Sequence, residues 1–372
     1  MRFTVHGGWV LSASLLAVGC IPRVHLRVLE PADVAVPPHI EKVAVVARTR
    51  PSTGGQAVLN VIEGALSGEA IGADREGAAR AKQGVVEALA ESPRYGVVVP
   101  AVELEGVGSG VAAAPLHWPR VESICAEVGA QGLVVLEAFD TNSSVDQTVE
   151  ERTRTGENGK EIRYKVFHAR RETSMISSWR FYDPGNHVLI DEWFEHRNAR
   201  TWEEEGDTPE IARSKLPSQY DTVGSVGWDA GHDYGRRIAP SWLWVTRRYY
   251  GRGDPGFAEA RRHVKADRWT EAEAIWGGLA QREDPKIKGK ALFDLALARE
   301  REGALDQATD LARQADALLG KRRSRGYVSE LESRRAKQVR LEQQMRMHAP
   351  PPTDEPPTNE PPVEGTGGGS AE

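Results

Sequence analysis

The sequence has little cysteine, only Cys20 and Cys125 in 372 residues. A chain of this length with two cysteines is not a small domain held together by a disulfide framework. The sequence also has no excess of basic residues, because 48 lysines and arginines stand against 54 aspartates and glutamates, a formal net charge of −6. A nucleic-acid-binding surface is normally basic, so we expect no nucleic acid among the partners.

The apolar run at the N-terminus is too short to cross a membrane. It extends from Trp9 to Val18 and follows a single positive charge at Arg2, whereas a spanning helix needs ~20 residues. A charged start, a short apolar segment and small residues at its exit are typical of a secretory signal. We therefore predict a signal peptide at residues 1–19.

The exit of this signal, Leu-Ala-Val-Gly-Cys at residues 16–20, resembles the bacterial lipobox. The resemblance implies cleavage after Gly19 and acylation, with palmitate among the chains, of the thiol of Cys20. Two or more acyl chains hold a protein stably in a bilayer. Ile21 in place of aspartate resembles an outer-membrane sorting signal, so we expect a lipid-anchored protein on the periplasmic face of the outer membrane. The alternatives are the inner membrane, or an ordinary buried helix that ends in cysteine.

The rest of the chain divides by composition. Prolines before residue 40 disfavour helix, and the Pro-rich, Gly-rich C-terminus cannot bury enough apolar surface to fold. We predict an extended tether at 20–40, an α/β periplasmic domain at 41–250, a tetratricopeptide-like helical domain at 254–347 and a disordered acidic tail at 348–372.

Alternating strands and helices predict an α/β fold with a mixed sheet. The apolar run from Lys42 to Ala47 suits a strand buried on both faces. A turn signal at 183–186 predicts an antiparallel hairpin between Thr173 and Trp193. The other predicted elements are helices at 58–66, 75–90 and 118–127, strands at 95–100 and 132–139, and a helix from about 222 that leads into the apolar run 238–245.

Cys125 lies on a predicted helix with Val121, Ile124 and Val128. These positions share one helix face, and a thiol on such a face behaves as a small buried hydrophobic group. We favour a core position for Cys125 over a reactive thiol.

Three motifs carry a resemblance to envelope-assembly lipoproteins of the curli-secretion and Tol-associated type. They are the segment from Ser92 to Val98, the segment from Gly129 to Val135, and the hairpin from Phe181 to Ile190. The resemblance spans about residues 41–250 and implies a fold and a location in the envelope. It implies no active site, since the shared motifs are structural.

From residue 254 the pattern is helical and repeats with an offset of 36 residues, close to the tetratricopeptide period of 34. The alternative is a plain helical bundle. Stacked helix pairs form a concave surface for a protein partner. We therefore expect a scaffold or assembly factor that binds an envelope protein, without catalysis, cofactor or metal. A monomer and a homo-oligomer are both open alternatives. The candidate partner-binding residues are Ala260, Trp269, Trp276, Leu295 and Arg299.

A rival hypothesis is a metal-dependent envelope hydrolase that uses Asp229, His232 and Asp233. These side chains are metal-ligand types in close sequence, although Gly231 between them would leave the group loosely held. The aromatic residues at 242, 244, 249 and 250 have two interpretations, packing between the domains or an exposed binding face.

Overall fold

The computed structural model describes residues 22–48, 50–51, 72–102, 104–106 and 112–346. Within them the chain forms a mixed sheet with flanking helices, followed by a helical region. The predicted order of an α/β part and a helical part is confirmed. The predicted signal peptide, Cys20, the helix at 58–66 and the tail from 348 lie outside the described residues.

The elements are numbered in chain order. The strands are β1 (Arg23–Glu30), β2 (Lys42–Ala47), β3 (Arg50–Pro51), β4 (Gly96–Val98), β5 (Glu105–Gly106), β6 (Gly132–Thr155), β7 (Glu161–Asp183), β8 (Val188–Gly206) and β9 (Ser241–Arg248). The helices are α1 (Ala73–Glu91), α2 (Trp118–Val128), α3 (Pro209–Lys215), α4 (Gln219–Ile238), α5 (Pro255–Lys265), α6 (Trp269–Ala280), α7 (Pro285–Arg301), α8 (Leu305–Leu319) and α9 (Arg322–Arg346).

The central sheet has the strand order β4-β2-β6-β7-β8. Strand β2 is parallel to β4 and β6, and β6, β7 and β8 are antiparallel. Val43 and Val45 of β2 pack in one core with α1 and α4, while Ala44 and Val46 pack in another with α2. The continuous apolar sequence of β2 follows from this cover on both faces.

Cys125 lies in the core between α2 and the sheet, as predicted. Burial raises the pKa of its thiol to about 11. Helix α2 ends at Gly129, whose φ of 63° is left-handed and therefore favours glycine.

Helices α1 and α4 pack with their backbones in contact. A Cβ atom added at Gly231 would lie 1.8 Å from the carbonyl oxygen of Ala81, and one added at Gly227 would lie 2.2 Å from that of Gly77. Glycine is needed at both positions because any side chain would push the helices apart. Gly231 therefore fixes this part of α4, contrary to the expectation that it would loosen it.

Strands β6 and β7 extend beyond the rest of the sheet. They remain paired out to Thr155 opposite Glu161, whereas β8 ends at Gly206 opposite Phe167. The outer part of this hairpin is mostly charged and exposed. Its lack of an apolar pattern explains why the sequence predicts only the inner part, up to residue 139.

Strand β1 pairs along its whole length with β9, from Arg23 opposite Arg248 to Glu30 opposite Ser241. We call this two-stranded unit the β1–β9 ribbon. Its residues Leu26 and Val28 are buried in the core of the helical region. Residues 23–30 of the predicted extended tether are instead a paired strand, and no proline lies between Pro22 and Pro31.

Helices α5 to α9 each pack against the next along the chain. The small and apolar residues that repeat at the 36-residue offset, such as Ala260 and Ala296, lie in one core. Their alanines have no exposed surface, which lets neighbouring helices approach closely. These alanines are Ala260, Ala272, Ala296, Ala308, Ala312 and Ala315.

Candidate functional site

Three of the predicted partner-binding residues belong to the helical core. Ala260 and Trp276 have no exposed surface, and Trp269 is only 6% exposed. The rings of Trp269 and Trp276 meet edge to face, with centroids 6.4 Å apart. Their side chains are closed to direct contact with a partner, because the apolar stripe that suggested them is the packed face of α5 and α6.

The other two predicted residues lie on α7 and keep part of their surfaces exposed, although Leu295 also packs against the helical core. Leu295 and Arg299 are half-buried and one helical turn apart, and Lys288, two turns before Leu295, is exposed. Arg299 forms ion pairs with Glu273 of α6 and Glu302. We call Lys288, Leu295 and Arg299 the α7 stripe.

The opposite side of α7 is covered by the chain itself. The backbone N–H of Tyr250, just after β9, donates to Oδ1 of Asp294 over 2.8 Å. The ring of Phe293 contacts Tyr250 and also Tyr327 of α9, with centroids 5.3 Å and 4.8 Å apart. A partner therefore has access to α7 along the α7 stripe and not along this side.

A buried carboxylate, Glu300, joins α7 to the ribbon and to α9. It accepts hydrogen bonds from Arg247 over 2.8 to 3.0 Å and from the hydroxyl of Tyr327 over 2.8 Å, and it pairs with Arg334. Burial alone would raise the pKa of Glu300, but the hydrogen bonds from Arg247 and the charges of both arginines outweigh it and lower that pKa. No local sequence pattern marks a buried charge, so Glu300 is not among the residues predicted from the sequence.

The pKa of Asp294, on the same helix, is shifted in the opposite direction from that of Glu300. Burial raises its pKa well above the ordinary value, and the hydrogen bond from Tyr250 and the charge of Arg323 offset this only in part. Among the described residues, Oδ2 of Asp294 and Nε of Arg323 have no hydrogen-bond partner. The fold therefore favours the protonated form of Asp294.

The proposed metal ligands of the rival hypothesis do not converge. Asp229 faces Arg200 over 3.5 Å, and Asp233 faces His196 over 3.5 Å. His232 stacks on the ring of Trp228, with centroids 4.6 Å apart. In the part of the chain that the structure describes, no three histidine, cysteine or carboxylate side chains are placed to hold one metal ion. The geometry gives the hydrolase hypothesis no site at this trio.

A cleft of about 400 Å³ lies beside Asp229, between α1, α4 and β8. Arg200 donates to Ser225 over 2.7 Å, and Arg80 pairs with Glu76 over 2.9 Å. Burial raises the pKa of Asp229, an effect that the charge of Arg200 opposes. The charged side chains of the cleft thus pair with one another, Arg200 with Asp229 and Arg80 with Glu76.

The aromatic residues after α4 divide between the two interpretations that the sequence left open. Tyr249 is buried and packs against Trp276. Trp242 and Trp244 are exposed, at 37% and 71% of their surfaces. The alternation of Trp, Leu, Trp and Val along β9 was the available signal, since alternate residues of a strand point to opposite faces.

Comparison with protein families provides the classification. The model of a domain of unknown function, DUF8603, matches residues 40–250, over half of the chain. The chain belongs to the DUF8603 family. A second domain of unknown function, DUF6340, matches residues 258–337, within α5 to α9 of this DUF8603 protein. Comparison with curated proteins gives no match.

Among the described residues, no helix combines the length and apolarity needed to cross a membrane.

Proposed function

We propose that this DUF8603 protein is a lipid-anchored scaffold on the periplasmic face of the bacterial outer membrane, without catalytic activity. The lipobox-like sequence ending at Cys20 and the likeness to curli-secretion and Tol-associated lipoproteins support this location. Strand β1 begins at Arg23, so lipid on Cys20 would hold the folded part directly at the bilayer.

The helical region is, in this proposal, a pair of tetratricopeptide-like repeats formed by α5 with α6 and α7 with α8. Helix α9 is the terminal helix that covers the last repeat. The partner is an envelope protein that contacts the α7 stripe. The observation that supports this assignment is that Tyr250 and α9 cover one side of α7. Leu295 and Arg299 keep exposed surface away from that side.

A photo-crosslinking residue placed at Arg299 in intact cells tests the partner surface. The control position is Arg282, which is exposed after α6. We expect a discrete crosslinked protein from position 299 and none from 282. Leu295→Ala should weaken this crosslink, whereas Leu318→Ala, an exposed leucine of α8, should not. The same products from both positions would contradict the proposal.

The anchor is tested separately with labelled palmitate. We expect label in the wild-type protein, no label in Cys20→Ser, and a shift of that variant out of the membrane fraction. Label that is unaffected by Cys20→Ser would contradict the anchor. Mass measurement of the mature chain carrying Cys20→Ser then distinguishes a monomer from a homo-oligomer.

A further inference from the structure

The β1–β9 ribbon has two different faces. Its inner face packs on the helical core through Leu26, Val28, Leu243 and Val245. Its outer face is mostly polar and aromatic, and it carries no carboxylate. The outer residues are Arg23, His25, Arg27 and Leu29 on β1, and Trp242, Trp244, Thr246 and Arg248 on β9.

Two tryptophans dominate the centre of this face. Trp244 lies directly opposite Arg27, and the guanidinium of Arg27 lies 4.9 Å from the centre of the Trp242 ring. Trp244 is the most exposed large hydrophobic residue among those described. Tryptophan has an apolar body and a polar N–H, a combination that suits the boundary between water and lipid.

The charge of the outer face is uniformly positive. Arg23 lies directly opposite Arg248, and like charges at such a pair destabilise a ribbon. In the described part of the chain no carboxylate pairs with Arg23, Arg27 or Arg248. An anionic surface would relieve this repulsion and satisfy all three guanidinium groups.

We propose that the outer face of the β1–β9 ribbon binds the surface of an anionic phospholipid bilayer. Arginines would contact lipid phosphates, and Trp242 and Trp244 would enter the headgroup region. The ribbon starts just after Cys20, so both contacts would act on the same bilayer. The inference rests on the proposed lipid anchor only for placing the ribbon at the bilayer. The arginines and tryptophans would bind lipid without the anchor.

The test uses the mature chain from residue 20 with Cys20→Ser, which carries no lipid. We expect it to sediment with vesicles of phosphatidylglycerol and phosphatidylethanolamine, and far less with vesicles of phosphatidylcholine. Each arginine near an anionic surface contributes roughly fivefold to partitioning. A triple change of Arg23, Arg27 and Arg248 to Gln should therefore weaken binding by on the order of 100-fold.

A matched triple variant has the same change in charge at exposed arginines elsewhere, Arg120→Gln, Arg163→Gln and Arg282→Gln. It should retain most of the binding. Trp242→Ser with Trp244→Ser should weaken binding and remove the blue shift of tryptophan fluorescence on vesicles, whereas Ile162→Ser with Tyr164→Ser should do neither. Urea unfolding of each variant shows whether the fold is retained, since exposed positions change stability little.

No sedimentation with anionic vesicles, equal binding to phosphatidylcholine, or equal losses in the matched controls would overturn the proposal. The palmitate result is independent of these outcomes. If the protein takes up no palmitate but binds vesicles through the ribbon, only the proposed acylation of Cys20 is refuted. If it takes up palmitate but the ribbon variants bind vesicles normally, only lipid binding by the ribbon is refuted.

Discussion

Arg247 and Glu300 form a buried ion pair in which two nitrogens of the guanidinium donate to the carboxylate over 2.8 to 3.0 Å. Arg247 ends the inner face of β9, and Glu300 lies near the end of α7. The pair therefore fixes a strand that follows the α/β part of the chain to the core of the helical part. At the other strand, Lys337 of α9 contacts Glu30 over 2.6 Å, so both strands of the ribbon are held.

Loss of Arg247 should destabilise the fold strongly. In Arg247→Ala, Glu300 remains buried without its main partner, which costs about 3–5 kcal/mol of unfolding free energy. Urea unfolding of the chain from residue 20 measures this loss. Arg248→Ala changes the neighbouring, exposed arginine and should cost less than about 0.5 kcal/mol. Equal effects of the two substitutions would contradict a buried role for the ion pair.

Glu300 should make stability depend on pH in acid. Its pKa in the folded protein lies below its ordinary value of 4.5. The ionised group thus contributes fully to stability above about pH 4.5, and this contribution is lost as the pH falls through the lowered pKa. The difference in unfolding free energy between wild type and Glu300→Gln should be large at pH 7 and shrink in acid. Asp294 is present in both proteins, so its own titration largely cancels. A constant difference would refute the assignment.

Gly231→Ala should separate α1 from α4. The new methyl group would overlap the backbone oxygen of Ala81, and overpacking of this kind costs about 1–3 kcal/mol or more. Gly277→Ala is the matched control, because a Cβ atom there meets nothing within 4 Å. The control should stabilise α6 by about 0.5–1 kcal/mol. Thermal unfolding of both variants gives the comparison, and a neutral Gly231→Ala would show that the contact is not close.

Cys125 should be unreactive in the folded protein. Its thiol is buried, and its pKa of about 11 leaves little thiolate at neutral pH. In a chain with Cys20→Ser it is the sole cysteine, so labelling by a thiol reagent reports on it alone. We expect labelling only after unfolding in urea. Rapid labelling in native buffer would place Cys125 on the surface.

The sequence alone was sufficient where neighbouring residues decide the structure. A continuous apolar run predicted β2, and helical periodicity predicted the face of α2 that holds Cys125 and the repeated small residues of the helical region. Periodicity identifies a buried face, however, and not what covers it. Trp276 was therefore proposed for a partner surface although its face is the core, while Leu295 and Arg299 lie on an accessible side.

Only the tertiary structure decided the features that join distant segments. His25 and Thr246, hydrogen-bonded across the β1–β9 ribbon, are 221 positions apart in the chain, and no local signal pairs two such strands. The burial of Glu300 depends on arginines from two other elements, and the closeness of α1 to α4 depends on glycines of both. Local sequence determines which elements form, because hydrogen bonding and side-chain periodicity act over a few residues. Packing between elements determines which charges are buried, which tryptophans are exposed and which helix faces remain open.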